Sequence, residues 1–288
     1  MGGSPRLAWP SDVAAPGVRP KKGLGQNFLV DAGYRAGIVE AAQITPADSV
    51  LEIGPGQGAL TGLLAAQAGR LVTVELDDRL IPGLRHRFAG QANVIIVHGD
   101  ILDLDIGALM GESRYKVVAN LPYYISGAAL RRLMEAEPPP SLMVLTLQEE
   151  VAERVTAVPP RMSLLALGVQ FYCSARIVAR LPAAAFYPVP KVDSAVVRLE
   201  KRASTATADV PAEAFFAVAR AGFSQPRKQL RNSLAAGLQI PPGDAESLLH
   251  AAGITPHRRA ETLTLGEWAA LARVLPGGGH PSSATRAP

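Results

Sequence analysis

The sequence predicts an α/β chain: a mostly parallel sheet with helices on both faces and an antiparallel pair at its edge, followed by a small all-helical C-terminal domain. Three observations carry this. Short apolar runs alternate with helix-spaced stretches through the middle of the 288 residues. Such alternation marks βαβ units, whose strands are buried on both faces and read as continuous apolar runs. Two later apolar runs stand too close together to enclose the crossover helix that parallel neighbours require. After Lys201 only helical patterns remain, each gap punctuated by Pro or Gly.

The elements follow in order. Val50–Ile53 is a short apolar run ending in glycines, and Ala59–Ala68 carries helical spacing. Leu71–Glu75 is the next strand, then a helical stretch to Phe88, then the strand Val94–Val97. Lys116–Ala119 and Leu142–Leu147 repeat the theme, with a helix over Ser126–Glu135 between them. Ala175–Ala179 and Ser194–Leu199 form the antiparallel edge pair. Ala203–Ala208 reads as a linker, and helices are expected over Pro211–Ala221, Arg227–Ala236, Asp244–Ala252 and Leu265–Val274. The division is therefore a flexible tail over 1–20, an α/β domain over 21–202, a helical domain over 203–275 and a Gly/Pro/Ser-rich, disordered tail over 276–288.

Composition removes several classes. With 48% hydrophobic residues the chain has ample material for a core, which excludes disorder throughout. The single cysteine, Cys173, forms no internal disulfide, and five scattered histidines supply no zinc-binding pair, so no metal is expected. No run approaches the ~18 apolar residues of a membrane span. Four prolines interrupt the first 20 residues, and Arg6 stands where a myristoylation motif wants Ser or Thr. The expected location is the cytoplasm, with no membrane partner. Charge is uneven: residues 41–120 carry 6 Lys/Arg against 9 Asp/Glu, residues 1–40 carry 5 against 3 and residues 201–288 carry 10 against 6. A basic head and tail around an acidic middle suit a polyanion gripped at the ends, while a solvated basic surface gives the same counts.

Chemistry concentrates at strand ends. Glu52-Ile-Gly-Pro-Gly-Gln-Gly58 lies where the first strand turns into a helix, and Gly54, Gly56 and Gly58 allow a tight turn and close approach of a ligand to the backbone. Dinucleotide, phosphate and adenosine binders share such turns. The spacing here is not GxGxxG, and the Lys-Ser/Thr of a phosphate-binding loop is missing. Glu75, 21 residues after Gly54, ends the second strand, where a carboxylate can accept from both ribose hydroxyls. Asp100 is placed similarly after a later strand and suits an adenine amino group. Asn120-Leu-Pro-Tyr123 closes the next strand. The amine of a base is a poor nucleophile because its lone pair is delocalised. An Asn carbonyl and a neighbouring backbone carbonyl can accept both amine hydrogens and favour a pyramidal nitrogen. Pro122 stiffens the turn, and Tyr123 offers a face for an extruded base.

In this order the motifs resemble those of the bacterial small-subunit ribosomal RNA adenine dimethyltransferases, over a span from Arg19 to Leu275. Lys21–Leu29 resembles the family's N-terminal motif, Glu52–Gly58 its methyl-donor loop, and Glu75–Asp77, Gly99–Asp100 and Asn120–Tyr123 follow in register. Phe186–Ser194 resembles the later FxPxPKVxS motif and Arg258–Leu263 the C-terminal signature. The resemblance implies a Rossmann-like class I methyltransferase sheet in the first domain and an RNA-binding helical domain. It implies S-adenosylmethionine as methyl donor, contacted by Asn27, Leu29, Gly54, Gly56, Glu75, Asp100 and Asn120. The catalytic set would be Asn120, Leu121, Pro122, Tyr123 and Phe186, with Tyr123 and Phe186 sandwiching the adenine. Lys21, Lys22, Arg227, Lys228 and Arg231 would bind RNA. Two positions depart from the pattern: Pro226 stands where arginine is common, and Glu149 where lysine is frequent.

The function so implied is dimethylation of N6 on two adjacent adenines in the 3′-terminal hairpin loop of small-subunit RNA, within a pre-assembled subunit, by a monomer. The alternatives are a large-subunit dimethyltransferase of the macrolide-resistance type and a non-catalytic ribosome-assembly factor. The former more usually reads Asn-Ile-Pro-Tyr where this chain has Leu121, and intact Asn120 and Tyr123 oppose the latter. A nicotinamide-dependent dehydrogenase is a distant third, opposed by the glycine spacing.

Overall fold

A computed structural model of the chain describes residues 18–111, 114–204 and 209–275. Positions 1–17 of the expected N-terminal tail, 205–208 of the linker and the whole of 276–288 lie outside the described residues. Packing divides the rest into two units: residues up to Ala152 with Arg176–Lys201, and Glu153–Ala175 with the residues from Arg202 onward.

The elements in chain order begin with β1 (Phe28–Leu29), α1 (Ala32–Ala42), β2 (Ser49–Ile53), α2 (Ala59–Ala65), β3 (Arg70–Glu75), α3 (Ile81–Arg87), β4 (Val94–His98) and α4 (Ile106–Met110). Next come β5 (Tyr115–Asn120), α5 (Ser126–Met134), β6 (Leu142–Gln148), α6 (Glu149–Val155), α7 (Leu164–Tyr172), β7 (Cys173–Leu181), β8 (Phe186–Tyr187) and β9 (Ser194–Lys201). The helices α8 (Ala212–Gly222), α9 (Leu230–Leu238), α10 (Pro242–Ala251) and α11 (Leu265–Val274) complete the described chain.

Seven strands form one sheet in the order β4-β3-β2-β5-β6-β9-β7. From β4 to β6 every pairing is parallel. The central strands β2, β3, β5 and β6 are almost wholly buried, as their unbroken apolar runs require. At the outer edge no residue of β4 is fully buried, and Ile95 faces out. β9 runs antiparallel to β6, from Leu142 opposite Glu200 to Gln148 opposite Ser194, and separates it from β7. The expected edge pair is therefore present, with β9 the inner member. The chain steps outward from β2 to β4 and then returns to the other side of β2 with β5. That reversal opens a crevice at the carboxyl ends of β2 and β5, where open α/β sheets bind their ligands.

Besides the short helices α4 and α6, three elements of the first unit were not expected. α1 starts where Asp31 accepts the backbone N–H of Tyr34 at 3.0 Å, an N-cap. It ends at Gln43 in the left-handed region, φ 47°. Two cations hold that end: Lys116 Nζ donates to the Gln43 carbonyl at 2.5 Å, and buried Arg198 of β9 donates to the Ala41 carbonyl and to Gln43 Oε1. Positive charge there also complements the helix dipole. The other two, β1 and β8, pair with each other as a separate antiparallel ribbon, Phe28 opposite Tyr187 and Leu29 opposite Phe186. Two-residue strands have no periodicity for a sequence to display.

The second unit is helical. Its core holds Trp268 of α11, stacked against Phe223 at 5.5 Å between ring centroids, and Phe171 of α7, 4.6 Å from Phe215 of α8. Here the boundary of the 21–202 domain needs correction, because residues 153–175 pack in this unit. The cause is α7, whose Ala166, Leu167 and Phe171 are buried among the helices. The Arg258–Leu263 motif acts as a brace. The Arg258 side chain bonds Glu267, the N3 residue of the α11 capping box, and the Thr262 carbonyl, while its own carbonyl accepts from Leu230 N at 2.7 Å.

Candidate active site

A hollow enclosing about 770 Å³, part of it open to solvent, lies at the carboxyl ends of β2, β3 and β5. Its floor is the loop after β2. Gly54 takes φ +71° and Gly56 φ +58°, and a Cβ on Gly56 would lie 2.8 Å from the Phe28 ring. The parallel register of Ile53 with Ala119 sets this loop beside Asn120. Glycine is thus required both by backbone conformation and by close approach.

Behind the loop, Glu52 is wholly buried and accepts from Thr61 Oγ1 of α2 at 2.8 Å, tying the glycine turn to the helix that follows. Burial pushes its carboxyl up to about 7, with the nearby Glu75 adding to the rise. Glu75 ends β3 and is also buried. Its carboxylate accepts from Gly56 N at 3.1 Å and Asp77 N at 2.8 Å, so it orients the loop as well as facing the hollow. Burial raises its carboxyl above the ordinary range, and those two N–H donors oppose the rise. Asp100 lines the hollow from beyond β4 and is fixed by accepting Leu102 N at 2.9 Å. Glu75 and Asp100 are the only charged side chains among the residues lining this hollow. Such a site suits a cationic ligand rich in hydrogen-bond donors and is ill suited to a pyrophosphate.

The Asn120–Tyr123 segment lines the same hollow as the acids. Asn120 Nδ2 donates to the Asn27 carbonyl at 3.1 Å, which turns the amide so that Oδ1 remains as the acceptor. The Pro122 carbonyl accepts from Ile125 N and Ser126 Oγ, closing a turn into α5. Tyr123 Oη lies 2.9 Å from Ser194 Oγ, so the tyrosine ring is held by the last residue of the Phe186–Ser194 motif. Burial raises the phenol above its ordinary value, and the Ser194 contact partly offsets this. Phe186 is buried and borders the same hollow.

The structure therefore brings together Asn27, Gly54, Gly56, Glu75, Asp100, Asn120, Leu121, Pro122, Tyr123 and Phe186. Leu29 stands apart: its side chain is in the core and borders an adjoining hollow of about 420 Å³ instead. Among the basic candidates, Lys21, Arg227 and Lys228 are exposed, and of Lys22 only the backbone is described. Arg227 and Lys228 precede α9 rather than belonging to it, because the helix starts at Leu230 after a turn containing Pro226. Arg231 is half-buried and paired with Glu246 at 3.1 Å. Glu149 is likewise paired, with Arg180.

Sequence reasoning missed several lining residues. Gln26 sits inside a recognised motif, yet its role emerges only in three dimensions: it accepts from Lys21 N and donates to Asp77 Oδ2, both at 2.8 Å. Asp77 also pairs with Arg79, which, with Gln26, holds its carboxyl down at about 2. Tyr124, directly after the motif, is 59% exposed and borders the hollow. No group of three or more His, Cys, Asp or Glu among the described residues is arranged for a metal, and no described helix is long and apolar enough to cross a membrane.

The chain is similar to known proteins over most of its length. The profile of the family described as ribosomal RNA adenine dimethylase matches residues 17–276. A ribosomal RNA small subunit methyltransferase A of Dehalococcoides mccartyi is 45% identical over 258 residues, 89% of each chain. That of Pelotomaculum thermopropionicum is also 45% identical, over 89% of this chain and 91% of its own. Among solved structures, a dimethyladenosine transferase from Plasmodium falciparum superposes with a TM-score of 0.73 at 26% identity, covering 85% of this chain and 95% of that one. The 23S rRNA methyltransferase ErmE gives 0.72 at 29% identity, covering 86% and 99%.

Proposed function

Because the chain belongs to the ribosomal RNA adenine dimethylase family, we propose that its hollow takes S-adenosylmethionine and that the enzyme dimethylates N6 of two adjacent adenines in the 3′-terminal hairpin loop of small-subunit ribosomal RNA. The observation that carries this reading is the charge of the hollow: its only charged side chains are the carboxylates Glu75 and Asp100, and Asn120 lines it with them. The donor supplies an activated methyl on a positively charged sulfur. Glu75 at the end of β3 is placed for a ribose diol and Asp100 for an exocyclic amine, the arrangement open α/β sheets use for nucleosides.

Asn120 Oδ1 and the adjoining Leu121 carbonyl would accept the two hydrogens of the target amine, aiming its lone pair toward the methyl. The new N–C bond forms as the C–S bond breaks, and the methylated ammonium then loses a proton to water. Most of the acceleration comes from alignment at about 3–3.5 Å, with acceptors placed for charge developing on nitrogen adding to it. Tyr123, held by Ser194, and Phe186 would enclose the extruded base, as unpaired RNA bases are commonly held. The exposed Lys21, Arg227 and Lys228 would meet phosphates, with Lys22 in the same N-terminal motif; Arg231 would contribute less, since it pairs with Glu246. The working form is a cytoplasmic monomer acting on a pre-assembled subunit, with no metal.

The similarity to ErmE favours one second reading, methylation of large-subunit RNA, although the small-subunit relatives share more of the sequence. The deciding experiment incubates small subunits lacking this modification with the protein and labelled S-adenosylmethionine, then identifies modified nucleosides by mass. Dimethyladenosine confined to the 3′-terminal fragment is expected. Label on large-subunit RNA alone would transfer the protein to the second reading, and tight binding without methylation would make it an assembly factor.

A further inference from the structure

Tyr123 and Phe186 account for one base, yet the proposed substrate carries two adenines side by side. Drawing one of them out of the RNA costs the other a stacking partner, and an unstacked base is readily held on an aromatic face. Of the four aromatic residues lining the hollow, Phe186 is buried, Phe28 and Tyr123 are half-buried, and Tyr124 is 59% exposed. Tyr124 therefore stands at the mouth, one residue beyond the tyrosine assigned to the target base. A lone exposed aromatic is ordinary on a protein surface, but this one is seated. Gly25 takes φ +58°, and a Cβ there would lie 3.2 Å from Tyr124 Cδ1 and 3.4 Å from its Cε1. One edge of the ring thus rests on bare backbone. The seat is fixed in turn: the Gly25 carbonyl accepts from Asn27 Nδ2 at 3.2 Å, and the Asn27 carbonyl accepts from Asn120 Nδ2 at 3.1 Å.

We propose that Tyr124 is the platform on which the adenine next to the target stacks, so that the enzyme grips the pair of adenines rather than a single base. This rests on the RNA substrate proposed above. The bonds from Asn120 through Asn27 to Gly25 keep the platform in register with the acceptor assigned to the target amine. The backbone beneath the ring is held as well, because Ile125 N and Ser126 Oγ both donate to the Pro122 carbonyl and close the turn that carries Tyr124. A ring already braced along one edge loses little freedom when a base settles on it, which favours binding. Every base has a face to stack, and the larger face of a purine gains more than that of a pyrimidine. Tyr124 is then a positioning residue: it holds the strand beside the target and takes no part in the transfer of the methyl.

The test crosses a protein change with an RNA change. Methyl transfer is measured on unmodified small subunits carrying both adenines, and on subunits in which one or the other adenine is replaced by uridine. On the natural pair, Tyr124→Ala should raise KM about tenfold with kcat little changed, and Tyr124→Phe, which keeps the ring, should restore the wild-type KM. Uridine beside the target should raise KM for the wild-type enzyme but by no more than about twofold for Tyr124→Ala, since the partner of the lost base is already gone. Affinity for S-adenosylhomocysteine should stay within about twofold of wild type. If Tyr124→Ala does not fold, Tyr124→Leu, which keeps bulk against Gly25 without a stacking face, carries the comparison. Additive losses on both uridine particles, a fall in kcat alone, or an equal loss of S-adenosylhomocysteine affinity would overturn the platform and leave the RNA reading standing. Failure of the wild-type protein to methylate the natural pair would instead remove that reading, and the platform with it.

Discussion

Asn120 Nδ2 donates to the backbone carbonyl of Asn27 at 3.1 Å, joining two residues 93 positions apart. The bond makes the side chain proposed to accept from the target amine also the latch for the N-terminal segment. Asn27 lies immediately before β1, which pairs with β8 and so with Phe186. Asn27, Asn120 and Phe186 are thus parts of one hydrogen-bonded assembly.

Replacing Asn120 should therefore have two effects of different size. Asn120→Ala removes the acceptor aimed at the amine, and single-turnover methyl transfer should slow by about 10²–10³. The latch is one partly buried hydrogen bond, so S-adenosylhomocysteine affinity should weaken by no more than about tenfold. Wild-type transfer rates in this variant would remove Asn120 from the chemistry.

Tyr123 separates stacking from positioning. Tyr123→Phe keeps the ring and loses only the contact with Ser194 Oγ, with a cost of about 1 kcal/mol in stability and little in substrate binding. Tyr123→Ala removes the stacking face and should weaken engagement of the substrate RNA by about 1–3 kcal/mol. Measured RNA affinities for the two variants check this. Equal losses would mean that the hydroxyl, not the ring, does the work.

The sequence displayed the sheet clearly because buried parallel strands are written as apolar runs, and β2, β3, β5 and β6 all begin within one residue of the run that announced them. α1 was hidden for a physical reason: the buried Arg35 stands on its inward face beside only Ile38, Val39 and Ala42, and the exposed Gly33 and Gly37 lower its helical propensity. α7 was hidden in the opposite way, being apolar on nearly every side. The same contrast holds in the site. Gly54, Glu75, Asp100 and Asn120 stand at strand ends, where topology alone delivers them to the crevice. Gln26, Tyr124 and Gln57 reach the two hollows through loop geometry, which leaves no periodic trace.

Glu52 predicts an unusual pH dependence. Its carboxyl rises from an ordinary 4.5 to about 7 in the folded protein, so the folded state holds a proton that the unfolded chain releases. Its contribution to stability is complete below pH ~4.5, falls as pH rises through about 7, and is flat above. Glu52→Gln cannot ionise and should remove that slope. The variant should gain up to about 3 kcal/mol over wild type at pH 8 relative to pH 4. Urea unfolding of both proteins across this range measures it, and parallel stability curves would show that Glu52 stays ionised despite its burial.

RNA affinity offers the last separation. Arg227 and Lys228 project from the turn ahead of α9 and are exposed, whereas Arg231 is half-buried against Glu246 at 3.1 Å. Each exposed cation that meets a phosphate releases about one counterion, and a cation already paired releases little. Removing Arg227 and Lys228 together should lower the slope of log affinity against log salt by about 2 on duplex-like RNA. Arg231→Ala should change that slope by far less and act mainly through stability, since it removes the arginine partner of Glu246. Catalysis at saturating RNA should be unaffected in the double variant, because neither residue belongs to the unit that holds the methyl-donor hollow. Filter-binding titrations at several salt concentrations read the slope directly. An unchanged slope in the double variant would place the RNA on another face.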